Sequence, residues 1–249
     1  MFKAVSRIAV DVKYNMVQFF RNKQAIFITF VFPAILLVIL GYLLGARSGV
    51  DYLDFLLPGI LGVCILFSAV NWTMGAIVRY RATGIFQKMS MTPLSSMESN
   101  MSRIITGALI VMLSVTASLL VAWLVFGVRP DINVLFLSLV LAGSFISAGL
   151  GMIMAYLIED VDSVNAASFT LIIPLIVLSG SLFPVERLPS YLQFLSILSP
   201  LTYLTNGLRS AMFAGDAGYA ITNLAIVIFL GFVLFCAGAA ILMGKEGQA

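Results

Sequence analysis

The chain has 249 residues, 61% of them hydrophobic and 10% charged, with a mean hydropathy of +1.09; soluble domains lie nearer about 45–50% apolar and about 25% charged. Several apolar runs reach the roughly 20 residues that cross a hydrocarbon core, so the sequence reads as an all-α integral membrane protein, one transmembrane domain over residues 1–249. Histidine is absent, which excludes His-ligated metals, haem held by His and every Ser-His nucleophile, while the net charge of +3 sits beside the apolar runs as a topology signal.

Residues 1–24 come first. Val5, Ile8, Val12, Met16, Phe19 and Phe20 recur at helical spacing, with Arg7, Asp11 and Lys13 elsewhere around the wheel. This is the pattern of an amphipathic helix lying in the cytoplasmic interface. Six spans follow inside 25–243, at 25–46, 56–78, 104–126, 133–157, 166–183 and 220–243. The first is too long for a signal-peptide core of about 7–15 residues and is expected to be retained.

Six crossings put both termini on one side. Lys3, Arg7, Lys13, Arg21, Lys23, Arg79, Arg81, Lys88, Arg103 and Lys245 share the terminal side, against Arg47, Arg129, Arg187 and Arg209 on the other. The positive-inside rule therefore makes the termini cytoplasmic. Glu159, Asp160 and Asp162, with no basic residue beside them, run against that rule.

The cytoplasmic loop 79–103 starts basic, carries an apolar stripe at Ile85, Phe86, Met89 and Met91, and breaks at Pro93. Its spacing fits either a short helix docking in a partner's groove or a loop held to the membrane by charge. Span four offers Gly143, Ser147 and Gly151 in small-xxx-small register, with Gly149 beside them, a pattern for close helix packing, here within the chain. Span five carries Pro174, a source of kinking. Residues 184–212 are punctuated by Pro184, Pro189 and Pro200 around the apolar SYLQFLSILS. Ten helical residues cover only about 15 Å, so this stretch reads as a broken, re-entrant or interfacial helical hairpin on the extracellular side.

No charged residue falls inside these six spans, so the intramembrane carboxylate or base of an ion-coupled pump is missing. Gly244-Lys245 is followed by Glu246 and preceded by Ala239 where a P-loop needs glycine. Any energy for transport has to come from another subunit. The two cysteines, Cys64 and Cys236, lie in apolar runs and read as small buried hydrophobes.

In the second half, Asn165, Phe169, Pro174, Leu178-Ser179-Gly180, Phe183-Pro184, Leu188-Pro189, Ser199-Pro200-Leu201-Thr202-Tyr203 and Arg209 resemble the pattern of permease subunits of type-2 ATP-binding-cassette (ABC) exporters, in the drug-resistance and nodulation-factor branch. After span two, Arg81, Gly84, Lys88, Thr92-Pro93 and Ser95 match a second stretch of that family, whereas Gln87 stands where it carries an acid. The resemblance covers essentially the whole chain.

It implies a half-transporter in the cell membrane: two permease copies, identical or related, on two cytosolic nucleotide-binding subunits. ATP and magnesium would bind those subunits, with no cofactor or metal on this chain and no catalytic residue in it. Arg81, Gly84, Gln87, Lys88, Thr92 and Pro93 would form the coupling element, with Glu159, Asp160 and Asp162 as a second contact. Pro33, Asn165, Phe169, Pro174, Gly180, Phe183 and Pro184 would frame the export path for an amphipathic or lipophilic cargo such as a drug, lipid or glycolipid. A lipid-linked glycan exporter and a non-transporting membrane scaffold are the alternatives.

Overall fold

A computed structural model describes residues 2–48, 50–83, 96–185, 189–214 and 216–246, and the regular elements among them are all helical. Helix α1 (Phe2–Arg21) ends at Asn22, whose side chain accepts from the Gln24 and Ala25 amides, both at 3.1 Å, and opens α2 (Lys23–Ile26). An Asn that satisfies orphan helix-start donors sets the bend between the two.

A π-helical turn, Phe27–Val31, leads into α3 (Phe32–Ser48). Pro33 explains the irregularity. Without an N–H it cannot bond the Thr29 carbonyl four residues back, and Ser114 Oγ donates to that carbonyl instead at 2.8 Å.

Three long helices follow: α4 (Val50–Ala82), α5 (Ser96–Phe126) and α6 (Val134–Leu157). Asn133 caps α6 by accepting from the Phe136 amide at 2.8 Å, and its own amide donates to the Ala211 carbonyl at 2.8 Å. Beyond α7 (Ser163–Leu178) come two short helices, α8 (Ser190–Leu198) and α9 (Pro200–Arg209), a second π-helical turn (Ser210–Ala214) and α10 (Ala217–Glu246).

The bundle is built around α4. Its most apolar stretch is 83% buried against 17% for that of α10, so α4 is the shared wall and α10 keeps most of its surface for lipid. The core runs from Leu56 to Val70 on α4 against Phe136, Leu139, Ile146, Leu201, Leu204 and Leu208. The small-residue register of α6 works inside the chain. A Cβ on Gly151 would lie 2.9 Å from Thr73 Cβ, and one on Gly149 would lie 2.7 Å from the Phe235 backbone nitrogen. One side of α6 thereby meets α4 and another meets α10 nearly backbone to backbone, the close approach that drives association where lipid removes the hydrophobic incentive.

Among the described residues, five helices are long and apolar enough to cross a membrane: Lys23–Leu43, Tyr52–Ala82, Met101–Phe126, Val134–Leu157 and Ala217–Ile241. The remaining expected span, 166–183, is the 16-residue α7, about 24 Å long at 1.5 Å per residue. It starts earlier than expected and stops at Leu178, because Gly180 has φ +67°, the left-handed conformation that closes helices.

The structure adds partners to α1. Arg7 pairs with Glu98 at 3.5 Å and Ser102 donates to Asp11. Asn15 is buried and accepts from Tyr80 at 3.3 Å, so α1 rests a polar face on α5 and the end of α4. Val5, Val10, Tyr14, Val17 and Phe20 stay exposed. Helix α4 runs past the expected span to Ala82 and carries Arg79 and Arg81 in its last turn.

Candidate functional site

The residues expected to frame a path fall into two groups at opposite ends of α7. At its far end, Arg209 on α9 gathers the chain that follows the helix. Its Nε donates to the Phe55 carbonyl at 3.3 Å and Nη2 to the Gly180 carbonyl at 3.1 Å, while the guanidinium carbon lies 3.7 Å from the Phe55 ring centre. Tyr52 adds a 2.8 Å bond to the Leu182 carbonyl, and Gly59 lets Ser181 touch the α4 backbone. Irregular backbone inside a membrane survives where protein satisfies its carbonyls, and Arg209 and Tyr52 do so here. Gly180 belongs to this latch, and Phe183 is exposed at its edge with Pro184 next in sequence.

Toward the end carrying α1, three helices converge on an aromatic cluster. Phe169 of α7 meets Phe67 of α4 at 4.8 Å and Phe32 of α3 at 5.6 Å, and Phe32 meets Phe67 at 5.5 Å. One turn further along each helix the lining becomes polar. Asn71 donates to Asn165 Oδ1 at 2.8 Å and to Ser168 at 3.3 Å, a lone intramembrane Asn satisfied by the neighbouring helix.

Asn71 and Asn165 line a cavity of about 350 Å³ together with Gln18, Arg21, Asn22, Gln24, Thr29, Trp72, Arg79 and Asp162, and with apolar Phe19, Ala25, Val161 and Val164. Of the residues expected on a path, Asn165 lines this cavity, Phe169 lies one turn away on α7 against Phe32 and Phe67, and Pro33 follows Phe32 in α3. Pro174 lies between the two groups, inside α7.

Among the lining residues, Asp162 and Asn165 were selected from sequence, and Arg79 was not. Arg79 turns back along α4. Its Nη1 lies 3.1 Å from where a Gly75 side chain would begin, and its guanidinium carbon is 5.9 Å from the Trp72 ring centre. The spacing Trp72, Gly75, Arg79 is the signal: positions i, i+3 and i+7 share a helix face, and the glycine clears a groove for the arginine.

The expected coupling residues are partly described. Arg81 donates to the Ile158 carbonyl at 3.5 Å and also to the Ala155 carbonyl. A guanidinium on the last carbonyls of α6 is favourable by charge, since they carry the negative end of the helix dipole. It ties the end of α4 to the start of the turn holding Glu159, Asp160 and Asp162; Ser163 donates to Asp160 at 3.2 Å. Gly84, Gln87, Lys88, Thr92 and Pro93 lie outside the described residues. Among the described residues no cluster of three metal-ligating side chains occurs.

Residues 7–213 match the ABC-2 type transporter family, and the chain belongs to it. It is a multi-pass membrane protein of the permease class. Over 200 residues it is 30% identical to Nodulation protein J of Sinorhizobium fredii, covering 78% of this chain and 76% of that protein. It is 27% identical over 209 residues to the putative transport permease ycf38 of Cyanophora paradoxa, covering 74% and 70% respectively. The probable multidrug ABC transporter permease YbhR of Escherichia coli is more distant, 20% identical over 162 residues, or 64% of this chain and 44% of YbhR.

Proposed function

We propose that this chain is the permease half of an exporter driven by a separate ATP-hydrolysing subunit, working as two permease copies, or two related permeases, on two such subunits. ATP and magnesium belong to the partner; this chain supplies the path and the contact that receives motion. Both termini, α1 and the 159–162 turn face the cytoplasm. α7 with the latched segment 179–185 makes the sixth crossing, and α8 with α9 forms a hairpin at the extracellular end. The cargo is amphipathic or lipophilic, a class supported by the name of the multidrug relative YbhR and by the apolar core around the path.

The observation that carries this reading is the Arg81 junction. The two helices that lead into the segments expected to touch the ATPase, α4 and α6, are joined at their ends by bonds from Arg81 to Ala155 and Ile158. Force applied to either segment therefore reaches α4, the wall shared by the bundle. Gly84, Gln87, Lys88, Thr92 and Pro93 belong to the coupling element in this reading.

The test is ATP hydrolysis by the partner in proteoliposomes, with and without the permease. Arg81→Ala is expected to reduce permease-dependent stimulation at least fivefold while protease protection of the inserted chain stays unchanged. Hydrolysis indifferent to the permease would overturn the proposal.

A further inference from the structure

The polar cavity beside α1 combines two guanidinium groups, from Arg21 and Arg79, with one carboxylate, from Asp162. Arg79 Nε is buried and has no hydrogen-bond partner, and no carboxylate lies within ion-pairing distance of Arg79 among the described residues. The segment 84–95, beyond them, contains no Asp or Glu. A charge withdrawn from water costs free energy unless it is paired, and Arg79, in the last turn of α4, stands where an anionic group entering the cavity would pair it.

The remaining lining supplies donors. Asn165 spends its Oδ1 on Asn71 and leaves its amide N–H groups without a partner among the described residues, and Gln18, Asn22 and Gln24 line the same space. The aromatic cluster of Phe32, Phe67 and Phe169 begins one helical turn further in on α3, α4 and α7. Cationic and amide donors at the mouth with aromatic rings beyond them match a molecule with an anionic head and an apolar tail.

We infer that this cavity is the loading site for cargo, and that it takes the anionic, oxygen-bearing head of an amphiphile, a phosphate or carboxylate, against Arg79 with the start of the tail along the Phe19 and Trp72 rings of its wall. The inference rests on the transport reading above and narrows its cargo class.

Trp72 in the cavity wall and Trp123, about half exposed, are the two tryptophans of the chain, so Trp123→Phe leaves Trp72 as the reporter. The full-length chain in phosphatidylcholine nanodiscs is titrated with dodecyl phosphate, dodecyl maltoside and inorganic phosphate. A saturable change in Trp72 emission is expected with dodecyl phosphate, none with the maltoside, and at least thirtyfold weaker binding of inorganic phosphate. Arg79→Gln is expected to weaken dodecyl phosphate at least tenfold. Asp162→Asn, which removes the opposing charge, is expected to tighten it, a gain that a damaged fold does not produce.

An equal response to the maltoside, or unchanged binding in Arg79→Gln, would overturn the anionic site. Inorganic phosphate binding as tightly as dodecyl phosphate would overturn the amphiphile. Loss of the signal when phosphatidylglycerol is added to the discs would assign the cavity to resident lipid and overturn the cargo role. ATPase stimulation is measured on the same variants with the partner subunit. Failed binding with stimulation intact removes this site alone, whereas absent stimulation in the unsubstituted chain removes the transport reading itself.

Discussion

Arg209 illustrates what one side chain can do where water is scarce. Its planar fork reaches carbonyls on two separate segments, Phe55 and Gly180, while its face lies on the Phe55 ring. Lysine, a single ammonium point, cannot satisfy that geometry. Arg209→Gln is expected to lower stability by about 2–3 kcal/mol, from a stacking contribution of about 0.5–2 and membrane hydrogen bonds of about 0.6 each. Arg209→Lys should recover less than half of the loss; full recovery in detergent unfolding would mean that charge alone matters. Gly180 adds a conformational requirement. At φ +67° any side chain costs about 1–2 kcal/mol, and a Cβ would also strike Val185. Gly180→Ala should therefore lower the unfolding midpoint, and an unchanged midpoint would contradict the left-handed turn.

At the scale of elements, packing is decided by where backbones meet. Gly149 sits against the Phe235 backbone of α10, which cannot move aside as a flexible side chain could. Gly149→Ile should cost at least the about 1–3 kcal/mol typical of overpacking and loosen α10 first, read as increased proteolysis at the C-terminal end. Protection unchanged from the parent chain would contradict the contact. The sequence showed the small-residue register of α6 and its use within the chain, because period and residue size carry that information. It did not show that Ser114, 85 residues away, would satisfy the carbonyl that Pro33 frees.

Helix ends were less legible. Phe183-Pro184 extends the apolar run past Gly180, so hydropathy read a longer helix than the backbone allows. The partners of α1 were not legible for a related reason. Arg7 and Asp11 are polar on a wheel, and only their partners Glu98 and Ser102 on α5 make them part of the packed side. Arg79 was hidden by the same limit. A basic residue at the end of an apolar run reads as a cytoplasmic anchor, and its return along the Gly75 groove toward Trp72 depends on rotamer and neighbours.

For the whole molecule, the features divide along the length of α7 and α4. One end holds the polar cavity, the Arg81 junction and α1; the other holds the Arg209 latch and the paired short helices. In the proposed mechanism, motion entering at Arg81 acts on α4, which contributes to both the cavity and the latch, through Asn71 and Arg79 at one end and Phe55 and Gly59 at the other. That continuity is what an alternating pathway requires, a single wall whose displacement can open one end as it closes the other. Asn165 and Phe169 were expected on a path from the family resemblance alone, and the structure adds the partners that give them a shared location.

The most direct measurement is purification of the full-length chain from native membranes in mild detergent, with mass spectrometry of what remains bound and an ATPase assay on the eluate. The expected result is a stoichiometric cytosolic protein carrying nucleotide-binding motifs, together with ATP hydrolysis that falls when Arg81 is replaced by Ala. A chain that purifies with no ATPase, under conditions that preserve such complexes for an established half-transporter, would contradict the assignment of this protein as the permease of an ATP-driven exporter.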